Sequence, residues 1–442
     1  MSWIDRQFAE FGVKVACHEA GRSWSYTDFA EEIDRFAALL AQTVGSVPTV
    51  IAIQLSGTTS ALAAVFAVAR LKQIALPLSP QMPAAEQVEQ QRIAGATFVL
   101  SERGLRSQKI DAVPPKLMGQ LAERTHAGLV LFSSGTSGEP KGMLHDLDAL
   151  LDRYREVCPR ADRTVQLLLA DHIGGLDSAF RTFFAGSTLV VPEARTAVAV
   201  GEAVQQHRVN ILPASPTFLN LMLLAQLPEQ FDCSSLEVVA YGAEPMSEAL
   251  LARLVEAFPD ASLQQKFGTS ETGAIRIKSQ RTGSLFFRIE DSGVEWRIEN
   301  EELWLKTSSR ILGYLNADES SLEADGWYRT GDLVEAADDD FIRIIGRRSE
   351  LINVGGQKVH PAEVEQVIAG IEGVDACSVF GKPAPVTGSM VACVIVTTAD
   401  RDLRSWKRLV RNHCRGRLAD WKIPVAIELR DELSITDRLK RG

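Results

Sequence analysis

Phe132-Ser-Ser-Gly-Thr-Ser-Gly-Glu-Pro-Lys-Gly142, directly after the apolar run Gly128-Leu-Val-Leu, is the stretch on which the fold turns. It gathers four hydroxyl residues (Ser133, Ser134, Thr136, Ser137), three glycines and one lysine. Glycine accepts the positive φ angles that let successive backbone N–H groups converge on an anion. The hydroxyls add donors, and Lys141 adds a point charge. A strand leading into such a loop is built to grip a polyphosphate. A serine- and glycine-rich stretch without these flanks would read as a surface connection.

The spacing excludes two other sites. A Walker A loop requires Gly-Lys followed directly by Ser or Thr, which the segment lacks. A hydrolase nucleophile elbow requires G-x-S-x-G, which neither Gly135-Thr-Ser-Gly nor Gly268-Thr-Ser-Glu-Thr-Gly supplies. The segment closely resembles the phosphate-binding loop of the adenylate-forming superfamily: acyl-CoA synthetases, aryl-acid ligases, luciferases and peptide-synthetase adenylation domains. Its usual pattern, [YF]-T-S-G-T-T-G-x-P-K-G, is altered here only by Ser133 and Ser137, which keep both hydroxyls. The resemblance implies ATP contacts by Ser133, Ser134, Gly135, Thr136, Ser137, Gly138 and Lys141.

The 442-residue chain has room for two or three domains, and 45% hydrophobic with 24% charged residues fits a soluble globular protein. Its formal net charge of −10 argues against a nucleic-acid surface or an anionic membrane partner. No apolar run approaches the ~20 residues of a membrane span, and MSWIDRQFAE is not a secretory leader. The six cysteines show no C-x-x-C spacing, which is expected of free thiols in a reducing cytoplasm.

Residues 21–44 read as a short strand and an amphipathic helix opened by Thr27 as N-cap. Strand-like runs at Val50–Leu55, Ile74–Leu78, Thr188–Val191, Ile211–Leu212, Leu236–Ala240 and Leu263–Phe267 alternate with helical stretches. That rhythm predicts an α/β fold with a large layered N-terminal domain of mostly parallel sheets. Beyond Gly346–Glu350 the pattern changes. Strands near 351–354, 376–380, 391–397 and 425–429, with helices near 361–369 and 403–418, predict a small α+β domain. The expected division is 1–346 and 347–442, with a hinge at about 346–350.

Further motifs follow in the family's order. Tyr241-Gly-Ala-Glu-Pro matches the adenine-contacting turn, implying roles for Gly242, Ala243 and Glu244. Phe267-Gly-Thr-Ser-Glu resembles Y-G-x-T-E. There the resemblance has Phe267 packing on adenine beside Gly268, Thr269 and Ser270, and Glu271 ligating Mg²⁺, a cation that prefers hard oxygen donors. Taken alone, Glu271 would read as an acidic residue opening a helix. Gly326-Trp-Tyr-Arg-Thr-Gly-Asp places Asp332 at the ribose hydroxyls, and Ile345-Gly-Arg places Arg347 at ribose or phosphate. Ser349 stands where the family hinge carries Asp or Lys. Gly356 falls at the thiol-entry tunnel, and the nearby His360 reads as a helix-boundary residue before Pro361. Asp171-His-Ile-Gly-Gly-Leu resembles the gate of the acid pocket, implying His172, Ile173 and Gly174 as substrate contacts with Gly242 and Thr269. Ile173 occupies the place where amino-acid-activating domains carry an aspartate, which favours a non-amino acid. A predominantly apolar pocket with a few polar groups is expected. At the end of the chain, Lys440 aligns with the lysine that bridges the acid and the α-phosphate, although Ser434 and Leu439 replace the usual proline and glycine.

The resemblance thus implies a magnesium- and ATP-dependent, AMP-forming ligase, with Lys440, Thr136, Glu271 and His172 as catalytic residues. A small organic carboxylic acid would become an acyl-adenylate and pass to CoA. Two alternatives stand: transfer to a carrier protein's phosphopantetheine or another nucleophile, and a nucleotide-binding module without turnover. The chain is short for this superfamily at 80–128 and 274–325, the stretches that shape the outer N-terminal domain.

Overall fold

The computed structural model describes residues 3–108, 117–134, 139–317 and 320–430. Two seven-stranded sheets carry the alternating pattern. The first runs, edge to edge, through Ser262–Gln265, Val238–Tyr241, Ile211–Ala214, Arg163–Val165, Thr188–Val190, Val15–Glu19 and Arg22–Ser25. All its pairings are parallel except that of the last hairpin. The second orders Gly313–Tyr314, Pro140–Asp146, Gly128–Ser134, Ile74–Pro77, Val50–Gln54, Phe98–Ser101 and Gly104–Ser107. Its centre is parallel and its edges are antiparallel.

Apolar residues at helical spacing fill the space around these sheets. Phe29, Ile33, Phe36 and Leu40 of the helix Tyr26–Ala41 join Phe66 of Thr58–Arg70 and Phe180, Phe183 and Phe184 of Ile173–Phe184 in one core. Tyr26 is fully buried there, and its hydroxyl donates to the carbonyls of Phe183 (3.0 Å) and Ser187 (2.7 Å). The N-cap of this first helix is Ser25, two residues before the expected Thr27. Ser25 Oγ accepts the Asp28 N–H at 3.0 Å, and the Asp28 carboxylate accepts the Ser25 N–H at 2.7 Å. This reciprocal capping box outcompetes a lone hydroxyl at Thr27.

A third, six-stranded sheet is wholly antiparallel: Ile277–Ser279, Phe287–Ile289, Ile342–Arg347, Tyr328–Ala336, Glu302–Thr307, Val294–Glu299. Beyond it, Gln357–Val359, Ile352–Val354, Gly388–Val396, Ala376–Ala384 and Ala426–Arg430 form a five-stranded sheet. The helices Pro361–Ala369 and Leu403–Cys414 accompany it, and its own core is built around Trp406, Val364, Ile368, Cys393 and Ile395. Among the described residues no helix is long and apolar enough to cross a membrane.

Gly175, in the helix that follows His172, lies against the Leu168–Leu169 backbone, and a Cβ there would sit 1.9 Å from the Leu169 carbonyl oxygen. Gly175→Ala is therefore expected to lose at least ~2 kcal/mol in urea unfolding. Gly119→Ala is the control. It lies in the helix Met118–Arg124 with nothing within 4 Å, so a change within ~1 kcal/mol, in the stabilising direction, is expected.

Candidate active site

The arms flanking residues 135–138 are the antiparallel strands Gly128–Ser134 and Pro140–Asp146, with Ser133 opposite Lys141. Asn316 fixes the second arm. Its Oδ1 accepts the Gly142 N–H at 2.9 Å, and its Nδ2 donates to the Pro140 carbonyl at 2.9 Å. Lys141 thereby opens onto a cleft of about 630 Å³ shared with Glu271, Tyr314, Tyr328, Thr330 and Ser349. Gly135, Thr136, Ser137, Gly138 and Lys440 lie outside the described residues, as does the side chain of Ser134.

Glu271 sits in the turn between the paired strands Phe267–Thr269 and Gly273–Ile275. Its backbone is anchored where its carbonyl accepts the Ile311 N–H at 2.8 Å. Its carboxylate is held from the side by phenols. The Tyr314 hydroxyl donates to Oε1 at 2.9 Å, and Tyr328 also hydrogen-bonds to Glu271. Burial, reinforced by the Glu271 charge, raises the pKa of both phenols, so each stays a neutral donor. Sequence reading missed both roles. Tyr328 lies inside a recognised motif, yet its partner is far along the chain.

Asp332 and Arg347 face each other across antiparallel strands and pair at 3.0 Å. Asp332 is 4% exposed, while the Arg347 side chain is half-exposed. Burial pushes the Asp332 carboxyl up to about 6, against the opposing pull of Arg347. Arg347 is itself raised, first by the Asp332 charge.

The turn Gly242–Glu244 follows the carboxyl end of Val238–Tyr241, where open parallel sheets bind ligands. Glu244 accepts the Thr217 N–H at 3.1 Å. At Gly242 a Cβ would lie 2.6 Å from the Lys266 carbonyl oxygen. The Phe267 ring packs on Phe287, centroids 5.3 Å apart, in a buried cluster with Ile275 and Leu305. Thr269 is buried and shares a hydroxyl contact of 3.0 Å with Thr272. Gly268 is exposed and Ser270 half-buried beside it.

His172 is the N-cap of the helix Ile173–Phe184, and its Nδ1 accepts the Gly174 N–H at 3.4 Å. Ile173 packs into the core, and Gly174 is half-buried. Ser349 lies in the short 3₁₀ turn Arg348–Glu350 at the cleft. Gly356 closes the hairpin between Ile352–Val354 and Gln357–Val359, where Gly355 (φ 58°) and Gly356 (φ 88°) both take left-handed conformations. His360 occupies the N-cap position of the next helix without a side-chain capping bond and lines a smaller depression with Lys358 and Glu301.

Among the described residues no group of three or more His, Cys, Asp or Glu could enclose a metal. Glu271 offers a single oriented carboxylate beside Lys141. That donor set fits Mg²⁺, which takes one or two protein carboxylates and completes its shell with phosphate oxygens and water.

Known proteins resemble this chain over most of its length. The profile of the family described as AMP-binding enzyme matches residues 4–285, and that of the AMP-binding enzyme C-terminal domain matches residues 363–440. The long-chain-fatty-acid–CoA ligase FadD13 of Mycobacterium tuberculosis is 27% identical over 82% of this chain and 80% of its own. The fatty acid–[acyl-carrier-protein] ligase MmaC of Mycobacterium marinum is 27% identical over 93% of this chain and 90% of its own. The crystal structure of the anthranilate CoA ligase AuaEII with anthranoyl-AMP superposes with a TM-score of 0.83 at 20% identity, covering 100% of this chain and 95% of that one.

Two outcomes are expected. If Asp332 must be ionised to accept hydrogen bonds from ribose, binding is lost as pH falls through about 6. The KM for ATP should then rise about tenfold between pH 7 and pH 5. Asp332→Asn should start with a high KM and lack that dependence. Tyr314→Phe should raise the Mg²⁺ concentration for half-maximal activity ~10-fold, because Glu271 loses an orienting donor. An unchanged Mg²⁺ titration would separate Tyr314 from Glu271's role.

Proposed function

The chain belongs to the AMP-binding enzyme family, and from that premise we propose that it activates a carboxylic acid with ATP and passes the acyl group to the thiol of CoA. One observation carries the reading. A single cleft joins the lysine ending the phosphate loop to a clamped carboxylate, and the strand that brings Tyr328 and Thr330 to it also carries Asp332, paired with Arg347 of the neighbouring strand.

In the first step a carboxylate oxygen bonds to the α-phosphorus. The bond from that phosphorus to the bridging oxygen breaks, and pyrophosphate leaves with the electron pair. Lys141, Thr136 and the N–H groups of residues 133–138 hold the β- and γ-phosphates. Asp332 accepts hydrogen bonds from the ribose hydroxyls, and Arg347 keeps that carboxylate paired. Gly242–Glu244 and Phe267 form the adenine side, and His172 stands at the acid's entrance. Lys440 bridges the attacking carboxylate and the α-phosphate. Mg²⁺ bound at Glu271 supplies neutralisation of phosphate charge. Catalysis by these groups is positioning and electrostatics, the terms that dominate phosphoryl chemistry. In the second step sulfur bonds to the acyl carbon, the acyl carbon–oxygen bond of the mixed anhydride breaks, AMP leaves with the electron pair, and the thiol proton passes to solvent.

The two steps are proposed to alternate at one site as residues 347–442 turn on a hinge at 346–350 and bring Gly356 to the thiol path. The separate core around Trp406 supports this division. Arg348 supports a pivot at Ser349, being tied back to Glu302 at 3.0 Å and to the Asn300 carbonyl at 3.0 Å. A carrier-protein acceptor is a second reading. It is favoured by the likeness to MmaC and by exposed Arg404, Lys407, Arg408 and Arg411 on one helix. Six free cysteines support a reducing, cytoplasmic setting, and the net charge of −10 supports small-molecule partners over nucleic acid.

ATP–pyrophosphate exchange tests the first step. Exchange should require an added acid, and Lys440→Ala should lower it at least ~100-fold. Undiminished exchange in that variant would remove Lys440 from the mechanism. Product formed only with a carrier protein would replace CoA as acceptor.

A further inference from the structure

Asn220 carries a contact between the two proposed domains. It lies on the helix Pro216–Leu224, and its Oδ1 accepts at 3.0 Å from the guanidinium of Arg253, on the helix Glu248–Ala257. A guanidinium can only donate, so this pairing leaves the amide nitrogen of Asn220 for another partner. Nδ2 donates to the Asp375 carbonyl at 3.0 Å, across to residues 347–442.

Both sides of this contact are held by their own surroundings. The two helices share one core through Leu219, Met222, Leu251 and Leu254. They are tied a second time where Glu244, just ahead of Glu248–Ala257, accepts the Thr217 N–H at 3.1 Å. On the far side, the Asp375 N–H donates to the Val396 carbonyl at 2.9 Å, and its carboxylate accepts the Thr398 N–H at 2.7 Å. The helix Pro361–Ala369 packs against Glu248–Ala257 and Ile342–Arg347. A domain joined only through 346–350 could turn about that segment, and a second attachment elsewhere sets its angle. At this angle Gly356 is exposed and does not line the cleft that holds Lys141 and Glu271.

We infer that the Asn220 amide is a latch that holds residues 347–442 in the orientation seen here and must release Asp375 before Gly356 can reach the thiol path. This rests on the two-step reading above. Arg253 orients the latch, and Asp375 is its keeper. A hydrogen bond of this kind biases a two-state balance ~2–10-fold. That is enough to favour one orientation and weak enough to break in every turnover.

The decisive variant is Asn220→Asp, whose carboxylate keeps the tie to Arg253 and loses the donor to Asp375. The enzyme is loaded with ATP and the acid that best supports pyrophosphate exchange, then mixed with subsaturating CoA in a single turnover. Consumption of the acyl-adenylate should quicken ~2–10-fold in Asn220→Asp, while pyrophosphate exchange does not rise. A merely structural defect would slow both steps. Hydrogen–deuterium exchange should also quicken at 216–224, 248–257 and 361–375, with the melting temperature unchanged. An unchanged or slower thiol step, or unchanged hydrogen exchange at those segments, would overturn the latch and leave acid activation standing. If no acid supports exchange, the acid-activation reading falls, and hydrogen exchange alone decides whether Asn220 holds the two parts together.

Discussion

The pairing of Asp332 with Arg347 is the interaction on which the site depends. It needs the antiparallel register of Tyr328–Ala336 with Ile342–Arg347, and that register carries Tyr328 and Thr330 toward the cleft on the same strand. A carboxylate this deeply buried is costly without a cation, and Arg347 supplies one while remaining half in solvent. The proposed nucleotide contact, the strand pairing and the start of the hinge segment are therefore held by one ion pair.

Electrostatics explains why Glu271, which lines the cleft with Glu299 and Glu302, needs a different kind of support. The Glu271 carboxylate repels that of Asp332, which contributes to the raised Asp332 pKa. Two phenols orient Glu271 without adding charge, and Lys141, Arg329 and Arg348 line the same cleft. The first seven-stranded sheet brings the Gly242 turn to the carboxyl end of a parallel strand, while the antiparallel sheet brings Asp332 and Arg347 together. Lys141 of the second seven-stranded sheet and Tyr328 and Thr330 of the antiparallel sheet meet in one cleft.

Much of this was legible because it is local. Strand–helix alternation marked the parallel sheets, Pro361 and Gly370 bounded a helix that runs Pro361–Ala369, and the segments at Gly242, Glu271 and Gly356 fell on turns after or between strands. What escaped was set by distant partners. Tyr314 and Tyr328 acquire meaning only from Glu271, and Asn316 acts on a strand 174 residues away. The six-stranded sheet pairs segments whose order the alternation does not encode. Ser25 displaced Thr27 as a cap because the reciprocal bond depends on Asp28.

The central claim is that the acid's own oxygen attacks the α-phosphorus at this cleft. The direct measurement uses the acid that best supports pyrophosphate exchange, labelled with ¹⁸O in its carboxylate, and reads the products by mass spectrometry after transfer to CoA. AMP should carry one ¹⁸O from the acid, and pyrophosphate none. Label in inorganic phosphate or pyrophosphate, or unlabelled AMP, would contradict attack at the α-phosphorus and the account built on it.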